Sequence, residues 1–427
     1  MIRPAAACAA TIVLAAACLP AQDATIRVDV QQVVVPVIVS DKSGRHVSGL
    51  KESDFQILED GVPQKIVSFS GGPSSSGTYV VCVDTLHSSP AGAARVRDTL
   101  EKLFENAKPG AAQYAIIGIG RQLRVLQTVT ANPIEIVAKL RSPGFLQNFG
   151  GYDGSAYEAQ LGGLKRQMEE FCRHCACSAR QAPTSCNGEI VGLKQSVDAE
   201  ASQWIPLTHA MLDQFRSVVD ELAKIGTSRT LILVSDGFEL DPKREFYKVI
   251  SQYLPGRPEF QSPEASDATL SGALKVASDK NIRIDAIDSR AGSPAPAPAE
   301  IGPMDAGAGI AAGNTTSILG TNRGSGNAGV RSTSLGTASI QPIDSTQETS
   351  ESMARIASLT GGVYSHGGDL SKEFRGAMGD GREYYVLTYT PSNTARDGAF
   401  RHIGVETANK KLTIRAKSGY WAPAAAQ

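Results

Sequence analysis

Two aspartates each follow a run of apolar residues, and their side chains suit the binding of a divalent cation. Asp84 ends the run YVVCVD, and Asp236 follows Ser235 in RTLILVSDG. Ser88, four residues after Asp84, adds a hydroxyl oxygen. Oxygen atoms of these types are the ligands that Mg²⁺ and Ca²⁺ prefer. The open alternative is that the aspartates only hydrogen-bond loop amides and cap helix N-termini.

Four cysteines form a second group of residues that could do chemistry. They lie in FCRHCACSARQAPTSC, as Cys172, Cys175, Cys177 and Cys186. One interpretation is a tetrahedral zinc site, because Cys-x-x-Cys followed by further ligands has the required spacing. The other is two local disulfide bonds in an inserted loop, which an oxidising compartment favours. Four cysteines allow three pairings, so the connectivity stays open.

The motifs of common enzyme classes are missing from the sequence. There is no Gly-x-Ser-x-Gly nucleophile motif, and Gly118-Ile119-Gly120 lacks the third glycine of a dinucleotide-binding loop. His87, Ser235 and Asp236 are the residue types of a hydrolytic triad, but they are common types near the end of a strand. We therefore expect a protein that is not an enzyme, with His87 as a solvent-exposed loop residue.

Buried strands alternating with helices position the two aspartates. Apolar runs at 79–84, 113–120 and 229–237 are typical of parallel strands covered on both faces, and 281–288 is a further predicted strand. Segments with helical periodicity separate them, which indicates a doubly wound α/β domain with a mostly parallel sheet over 78–380. The carboxyl edge of such a sheet is where a binding site is expected.

Two β-rich segments flank this α/β domain. Residues 24–70 and 382–422 carry alternating β-prone runs separated by turn residues. Neither segment is large enough to form a stable sheet without a partner. We predict that they pack together as one β-sandwich, with the α/β domain inserted between them.

Two stretches of the α/β domain read as insertions. A Gly- and Cys-rich insert spans 142–187, and 289–345 consists mostly of Gly, Ala, Pro, Ser and Thr without periodicity. The second stretch is predicted to be disordered, because it has few large apolar residues to bury.

The N-terminus predicts export. Residues 1–21 have a positive start, an apolar run of about 15 residues and a small residue before the expected cleavage after Ala21, as in a signal peptide. The run is too short to span a bilayer, which takes roughly 20 residues. Cys18 raises the alternative of a lipoprotein, although Leu14 lies one place too early for that motif. We expect a periplasmic or extracellular protein.

Composition excludes other partners. The 42 basic and 43 acidic residues give a net charge of −1, so no overall field attracts nucleic acid or anionic lipid. Beyond the leader no stretch is apolar and long enough to cross a membrane. We expect the partner to be another protein, whose identity the sequence does not give.

The motifs resemble a known family. The order YVVCVDTLHSS, QYAIIGIG, RTLILVSDGF resembles the von Willebrand factor type A domain. With VPVIVSDKSGRHVSGLKESDFQILEDGVPQKIVSF near the start and YYVLTYTPSN and RAKSGYWAP near the end, about residues 25 to 422 are similar to exported von Willebrand factor A-related proteins described mainly from acidobacteria.

This resemblance implies a metal-ion-dependent adhesion site. Asp84 and Ser88 match the first Asp and second Ser of its Asp-x-Ser-x-Ser motif, but Leu86 stands where the first Ser is expected. Asp236 matches the aspartate of the fourth-strand loop, and Thr208 is the candidate for the family's threonine ligand. The implied site binds Mg²⁺ or Ca²⁺ weakly, with water completing the coordination. The implied function is a non-catalytic protein-binding or adhesion module with a degenerate cation site. A metal-independent envelope scaffold or assembly protein is the alternative, and a secreted hydrolase is the weaker third.

Overall fold

A computed structural model describes most of the chain from residue 31 onward. The described residues are 31–73, 77–110, 112–145, 147, 152–175, 186–226, 228–238, 240–260, 268–290, 345–366, 368–380 and 383–425. The predicted signal peptide, with Cys18, lies outside them, as do Cys177 and nearly all of the predicted disordered insert. None of the described helices combines the length and apolar character needed to cross a bilayer.

The helices and strands of the described residues alternate as an α/β chain flanked by β segments. In chain order they are β1 (Val33–Ser40), β2 (Phe55–Glu59), β3 (Val62–Gln64), β4 (Ile66–Pro73), β5 (Gly77–Asp84), α1 (Pro90–Glu105), β6 (Gln113–Ile119), β7 (Arg124–Thr130), α2 (Pro133–Leu140), α3 (Tyr152–Cys175), α4 (Asn187–Ser202), α5 (Ile205–Ala223), β8 (Ser228–Ser235), α6 (Pro242–Tyr253), α7 (Ala268–Asp279), β9 (Arg283–Asp288), α8 (Ser345–Thr360), β10 (Tyr364–Ser365), α9 (Leu370–Asp380), β11 (Glu383–Tyr389), β12 (Phe400–Thr407), β13 (Thr413–Ala416) and β14 (Gly419–Trp421).

A six-stranded sheet forms the centre of the α/β part, in the order β10-β9-β8-β5-β6-β7. All neighbours are parallel except β6 and β7, which are antiparallel. Every residue of β5 is buried, because helices cover both faces of the sheet. The predicted α/β fold with a mostly parallel sheet is confirmed.

Alternate residues of β5 enter two apolar cores. Tyr79, Val81 and Val83 pack with α1, α2 and α9 on one face. Val80 and Cys82 pack with α3 to α8 on the other. The chain order reverses between β5 and β8, which are neighbours in the sheet, so their carboxyl ends flank the crevice where α/β proteins bind ligands.

Two four-stranded antiparallel sheets lie beside the α/β part, in the orders β13-β1-β11-β4 and β14-β12-β2-β3. Each contains strands from both ends of the chain: β1 pairs with β11 and β13, and β2 pairs with β12. Residues from both sheets share one core, among them Val35, Ile57, Leu387 and Ile403, and we call the two sheets together the sandwich. The carboxylate of Glu59 in this core accepts hydrogen bonds from two tyrosine hydroxyls.

Two local expectations need correction. The first β segment was expected to end at residue 70, but β4 continues through Gly71 to Pro73 and pairs with β11. A side chain at Gly71 would overlap the ring of Tyr385, so the pairing of β4 with β11 needs glycine at this position. The Gly- and Cys-rich insert, expected as a loop, contains the 24-residue helix α3.

Candidate functional site

The last residues of β5 and β8 meet at the carboxyl edge of the sheet. The hydroxyl of Ser235 donates a hydrogen bond to Oδ2 of Asp84 over 2.8 Å. The backbone N–H of Gly237 donates in turn to the Ser235 oxygen, at 3.0 Å. Asp84 and Ser235 are both fully buried. The parallel register of the two strands thus brings a carboxylate and a hydroxyl into direct contact.

The loop after β5 supplies the other partners of the Asp84 carboxylate. The backbone N–H groups of Leu86 and His87 donate to Oδ1, at 2.9 and 3.1 Å. Nδ1 of His87 lies 2.8 Å from Oδ2. Burial alone would raise the pKa of Asp84, but the charge and hydrogen bonds of His87, together with the Ser235 hydroxyl, hold this pKa below its usual value. Asp84 is therefore an ionised carboxylate in a dry environment.

His87 is not the exposed loop residue that we expected. Its side chain is only 6% exposed, and its ring stacks on Phe238 with the centroids 5.7 Å apart. The ring of Tyr157, on helix α3, meets it edge-on at 6.1 Å. Burial would lower the pKa of His87, but the charge of Asp84 outweighs it and raises the pKa. The imidazole is drawn inward because the buried Asp84 needs a positive partner.

Asp236 anchors the start of helix α1. Its Oδ2 accepts a hydrogen bond from the backbone N–H of Ser89 at 2.8 Å, and its Oδ1 accepts one from the Ser289 hydroxyl. Ser89 is the N-cap of α1 and accepts from the N–H of Gly92 at 3.1 Å. A Cβ atom at Gly92 would lie only 2.9 Å from Asp236 Oδ1 and from the Ser289 hydroxyl. Glycine thus allows the helix to lie directly against the carboxylate, whose charge suits a helix N-terminus.

The other two predicted ligands, Ser88 and Thr208, carry buried hydroxyls without a partner. Ser88 is 1% exposed and Thr208, in the first turn of α5, is 0% exposed. Neither hydroxyl oxygen has a hydrogen-bond partner among the described residues. A buried hydroxyl left in this state is costly, so two such groups fit a site that takes a ligand.

The position of α5, which carries Thr208, is fixed against the same edge of the sheet. The amide of Gln214 donates to the carbonyl of Gly120 and accepts from the Gly120 N–H, both at 2.9 Å. The ring of Trp204, the N-cap of α5, packs on Tyr157 with the centroids 4.8 Å apart. Through Tyr157, the start of α5 joins the aromatic contacts around His87.

The structure thus brings Asp84, the loop of Ser88 and Asp236 together at one edge. Leu86 is fully buried and offers no oxygen ligand. Sequence reasoning missed the contacts of Ser235 and Ser289. Each lies at the carboxyl end of a predicted strand, which is the signal that could have pointed to them.

The cysteine cluster contains disulfide bonds. Sγ atoms of Cys175 and Cys186 are 2.10 Å apart, and Cys172 is disulfide-bonded as well. These sulfurs are therefore not the thiolates that a zinc site requires. The bond between Cys175 and Cys186 joins the end of α3 to the start of α4.

Comparisons with known proteins reveal only weak similarities. No protein-family model matches the chain, and no curated protein matches it. Among solved structures it is similar to an aerotolerance-related membrane protein from Bacteroides fragilis NCTC 9343, with 12% identity over 71% of this chain and 96% of the other and a TM-score of 0.31. BatB from Bacteroides thetaiotaomicron has 12% identity over 71% of this chain and 98% of its own, with a TM-score of 0.29. The pilus adhesin SpaC from Lactobacillus rhamnosus GG has 9% identity over 87% of this chain and 48% of its own, with a TM-score of 0.30. Similarities this low carry no argument, so the function must be argued from the site itself.

Proposed function

We propose that the chain is an exported, non-catalytic protein-binding module of the von Willebrand factor A type. Its binding surface is the carboxyl edge of the six-stranded sheet, between β5 and β8. The observation that carries the proposal is the pair of buried hydroxyls, Ser88 and Thr208, that lack partners among the described residues. Ser88 lies in the loop that joins Asp84 to Ser89, whose backbone N–H donates to Asp236. Hydroxyl and carboxylate oxygens together are the ligand set of a hard divalent cation.

Asp84, Ser88, Asp236 and Thr208 would hold Mg²⁺ or Ca²⁺. The bound cation would supply a positive charge for an acidic group of the protein partner. Asp236 accepts two hydrogen bonds from the residues described above, which leaves lone pairs available on its carboxylate. Because Leu86 supplies no ligand, water must complete the coordination, and we expect weak binding.

The contacts of His87 support a non-catalytic role. A triad needs a hydrogen bond between the nucleophile and its base, with the carboxylate behind the base. Here His87 Nδ1 and the Ser235 hydroxyl both contact Asp84, and Ser235 is fully buried. This arrangement directs the serine proton to the carboxylate rather than to the imidazole.

The second candidate function is a metal-independent scaffold of the cell envelope. It is favoured by Asp84, whose carboxylate accepts four hydrogen bonds from protein groups. The hydrogen-bonding capacity of this carboxylate is therefore filled without a cation, and the His87 ring balances its charge. The two functions therefore differ in one measurable property, the dependence of binding on a divalent cation.

Calorimetric titration of the full chain with Mg²⁺ and with Ca²⁺ tests the proposal. We expect a weak isotherm that is lost in Ser88→Ala and in Asp236→Asn. Asp98→Asn is the matched control, because Asp98 is an exposed carboxylate on α1 paired with Arg97. The absence of heat with either cation would rule out the cation-assisted function. Capture of an envelope protein that survives chelation would then favour the scaffold.

A further inference from the structure

A cavity lies at the opposite end of the α/β part, where the sandwich meets the amino edge of the parallel sheet. Its volume is about 240 Å³. Val34 and Tyr384 line it from β1 and β11 of the sandwich. Arg229 and Arg283 line it from the starts of β8 and β9, and Lys417 lines it from the segment between β13 and β14. The cavity is therefore far along the strands from Asp84 and belongs to a different site.

The residues that line this cavity include three cations and no carboxylate. Arg283 is paired with Asp285, at 2.8 Å. Arg229 and Lys417 form no ion pair with any described residue. Two positive charges thus line the cavity without an ion-pair partner in the described part of the chain. The charge of Asp279 acts on Lys417, but this carboxylate is paired with Lys275 at 3.2 Å.

Arg229 is held by helix ends. Its Nη1 donates to the carbonyls of Ala223 and Ile225 after α5, at 3.2 and 2.6 Å, and its Nη2 donates to the carbonyl of Lys280 after α7, at 2.8 Å. These carbonyls carry only partial negative charge. The Nε of Arg229 is buried and has no hydrogen-bond partner in the described part of the chain.

Lys417 is held in the same way. Its ammonium group donates to the carbonyl of Ser278 and to Oδ1 of Asn281, each at 3.2 Å. An ammonium group has three N–H donors, so one donor exceeds these two acceptors. Lys417 is only 5% exposed, and burial lowers its pKa to about 8. A cation is rarely buried at this cost without an anionic partner.

From the cavity, its two cations that form no ion pair with described residues and their remaining N–H donors, we infer that this cavity binds a phosphate-sized oxyanion. The oxygens of such an anion accept hydrogen bonds from Arg229 Nε and from the Lys417 ammonium group. Charge-assisted bonds of this kind are about twice as strong as neutral ones. The anion also bridges the sandwich and the sheet, because its ligands come from both parts of the fold.

Calorimetric titration of the full chain with inorganic phosphate, at pH 7 and constant ionic strength, tests this inference. We expect a saturable isotherm with one site. Lys417→Met should weaken the affinity at least about tenfold, because a charge-assisted bond is lost. Lys411→Met removes the same charge from an exposed residue that does not line the cavity, and it should leave the affinity unchanged.

A second variant keeps the test decisive if Lys417→Met does not fold. Val34→Phe fills the cavity while every cation stays in place, and it should also abolish binding. Circular dichroism and urea unfolding check that each variant is folded. The inference is overturned if wild type gives no isotherm at phosphate concentrations of about 50 mM. It is also overturned if Val34→Phe binds phosphate as wild type does, because the anion would then lie outside the cavity.

Discussion

At the scale of single residues, the pairing of Asp84 with His87 defines the candidate site. A fully buried carboxylate is stable only when its oxygens are hydrogen-bonded and its charge is balanced. Two backbone amides, one hydroxyl and the imidazole meet both needs. Removing the imidazole would leave a buried charge without its positive partner.

We therefore expect His87→Ala to lower the free energy of unfolding by about 3 kcal/mol, the usual cost of breaking a buried ion pair. Urea denaturation at pH 6 measures this loss. The control is His174→Ala, which removes an imidazole 70% exposed and paired with the exposed Glu170. It should change stability by less than about 0.5 kcal/mol. Equal effects of the two variants would contradict the role of the His87 pair.

The sequence predicts the aspartates of the site better than the histidine. Asp84 and Asp236 end apolar runs, so their placement at one sheet edge follows from the topology of parallel strands. The burial of His87 depends on Phe238 and on Tyr157, which are distant in sequence. No local pattern contains that information.

Gly92 offers a second test at this scale. In an ordinary helix, Gly→Ala is stabilising by up to about 1 kcal/mol. At Gly92 the added methyl group would crowd Asp236 and Ser289, so we expect Gly92→Ala to destabilise by about 1–3 kcal/mol. Gly192→Ala on α4, where the added methyl group meets nothing within 4 Å, should stabilise instead. Thermal unfolding distinguishes the two, and a stabilised Gly92→Ala would mean that α1 does not press on the carboxylate.

At the scale of elements, the insert is part of the site. Helix α3 places Tyr157 over His87, and the Tyr157 hydroxyl donates to Glu245 on α6 at 2.6 Å. The residues that α3 turns toward the core, Leu161, Leu164 and Met168 after Tyr157, follow helical spacing. The pattern was present in the sequence, but the Gly- and Cys-rich composition of the insert over 142–187 suggested a loop.

The disulfide bond between Cys175 and Cys186 should stabilise this helix pair. It closes a short loop, with a sequence separation of 11. Replacing both cysteines by serine should lower the free energy of unfolding by about 3 kcal/mol, through the greater entropy of the unfolded chain. Thermal unfolding with and without reductant measures the loss. The double variant should respond less to reductant than wild type, because only the bond at Cys172 is left to break in the described part of the insert. An equal response would contradict a stabilising role for the Cys175 bond.

At the scale of the whole molecule, the parallel sheet carries a candidate site at each end of its strands. Its carboxyl edge carries the carboxylates, and its amino edge meets the sandwich through contacts such as the hydrogen bond from the Ser278 hydroxyl to the Gly419 carbonyl, at 3.1 Å. The sequence indicated that the two β segments need partners. It did not indicate the cationic cavity, because Lys417 lies in the polar segment RAKSGYW and is buried by residues distant in sequence, among them Ser278 at the end of α7.

This burial predicts a pH dependence of stability. The pKa of Lys417 is about 8 in the folded protein and 10.5 in the unfolded chain. The unfolded state therefore binds more protons between these values, so the contribution of Lys417 to the free energy of unfolding rises from pH 8 to pH 10.5. The difference is worth about 3 kcal/mol. Urea denaturation across this range, in buffers without phosphate, should show the rise in wild type and in Lys411→Met but not in Lys417→Met. Parallel curves for all three proteins would mean that the burial of Lys417 does not change its pKa. Added phosphate should flatten the wild-type curve, because it stabilises the charged amine at the pH 8 end of the range.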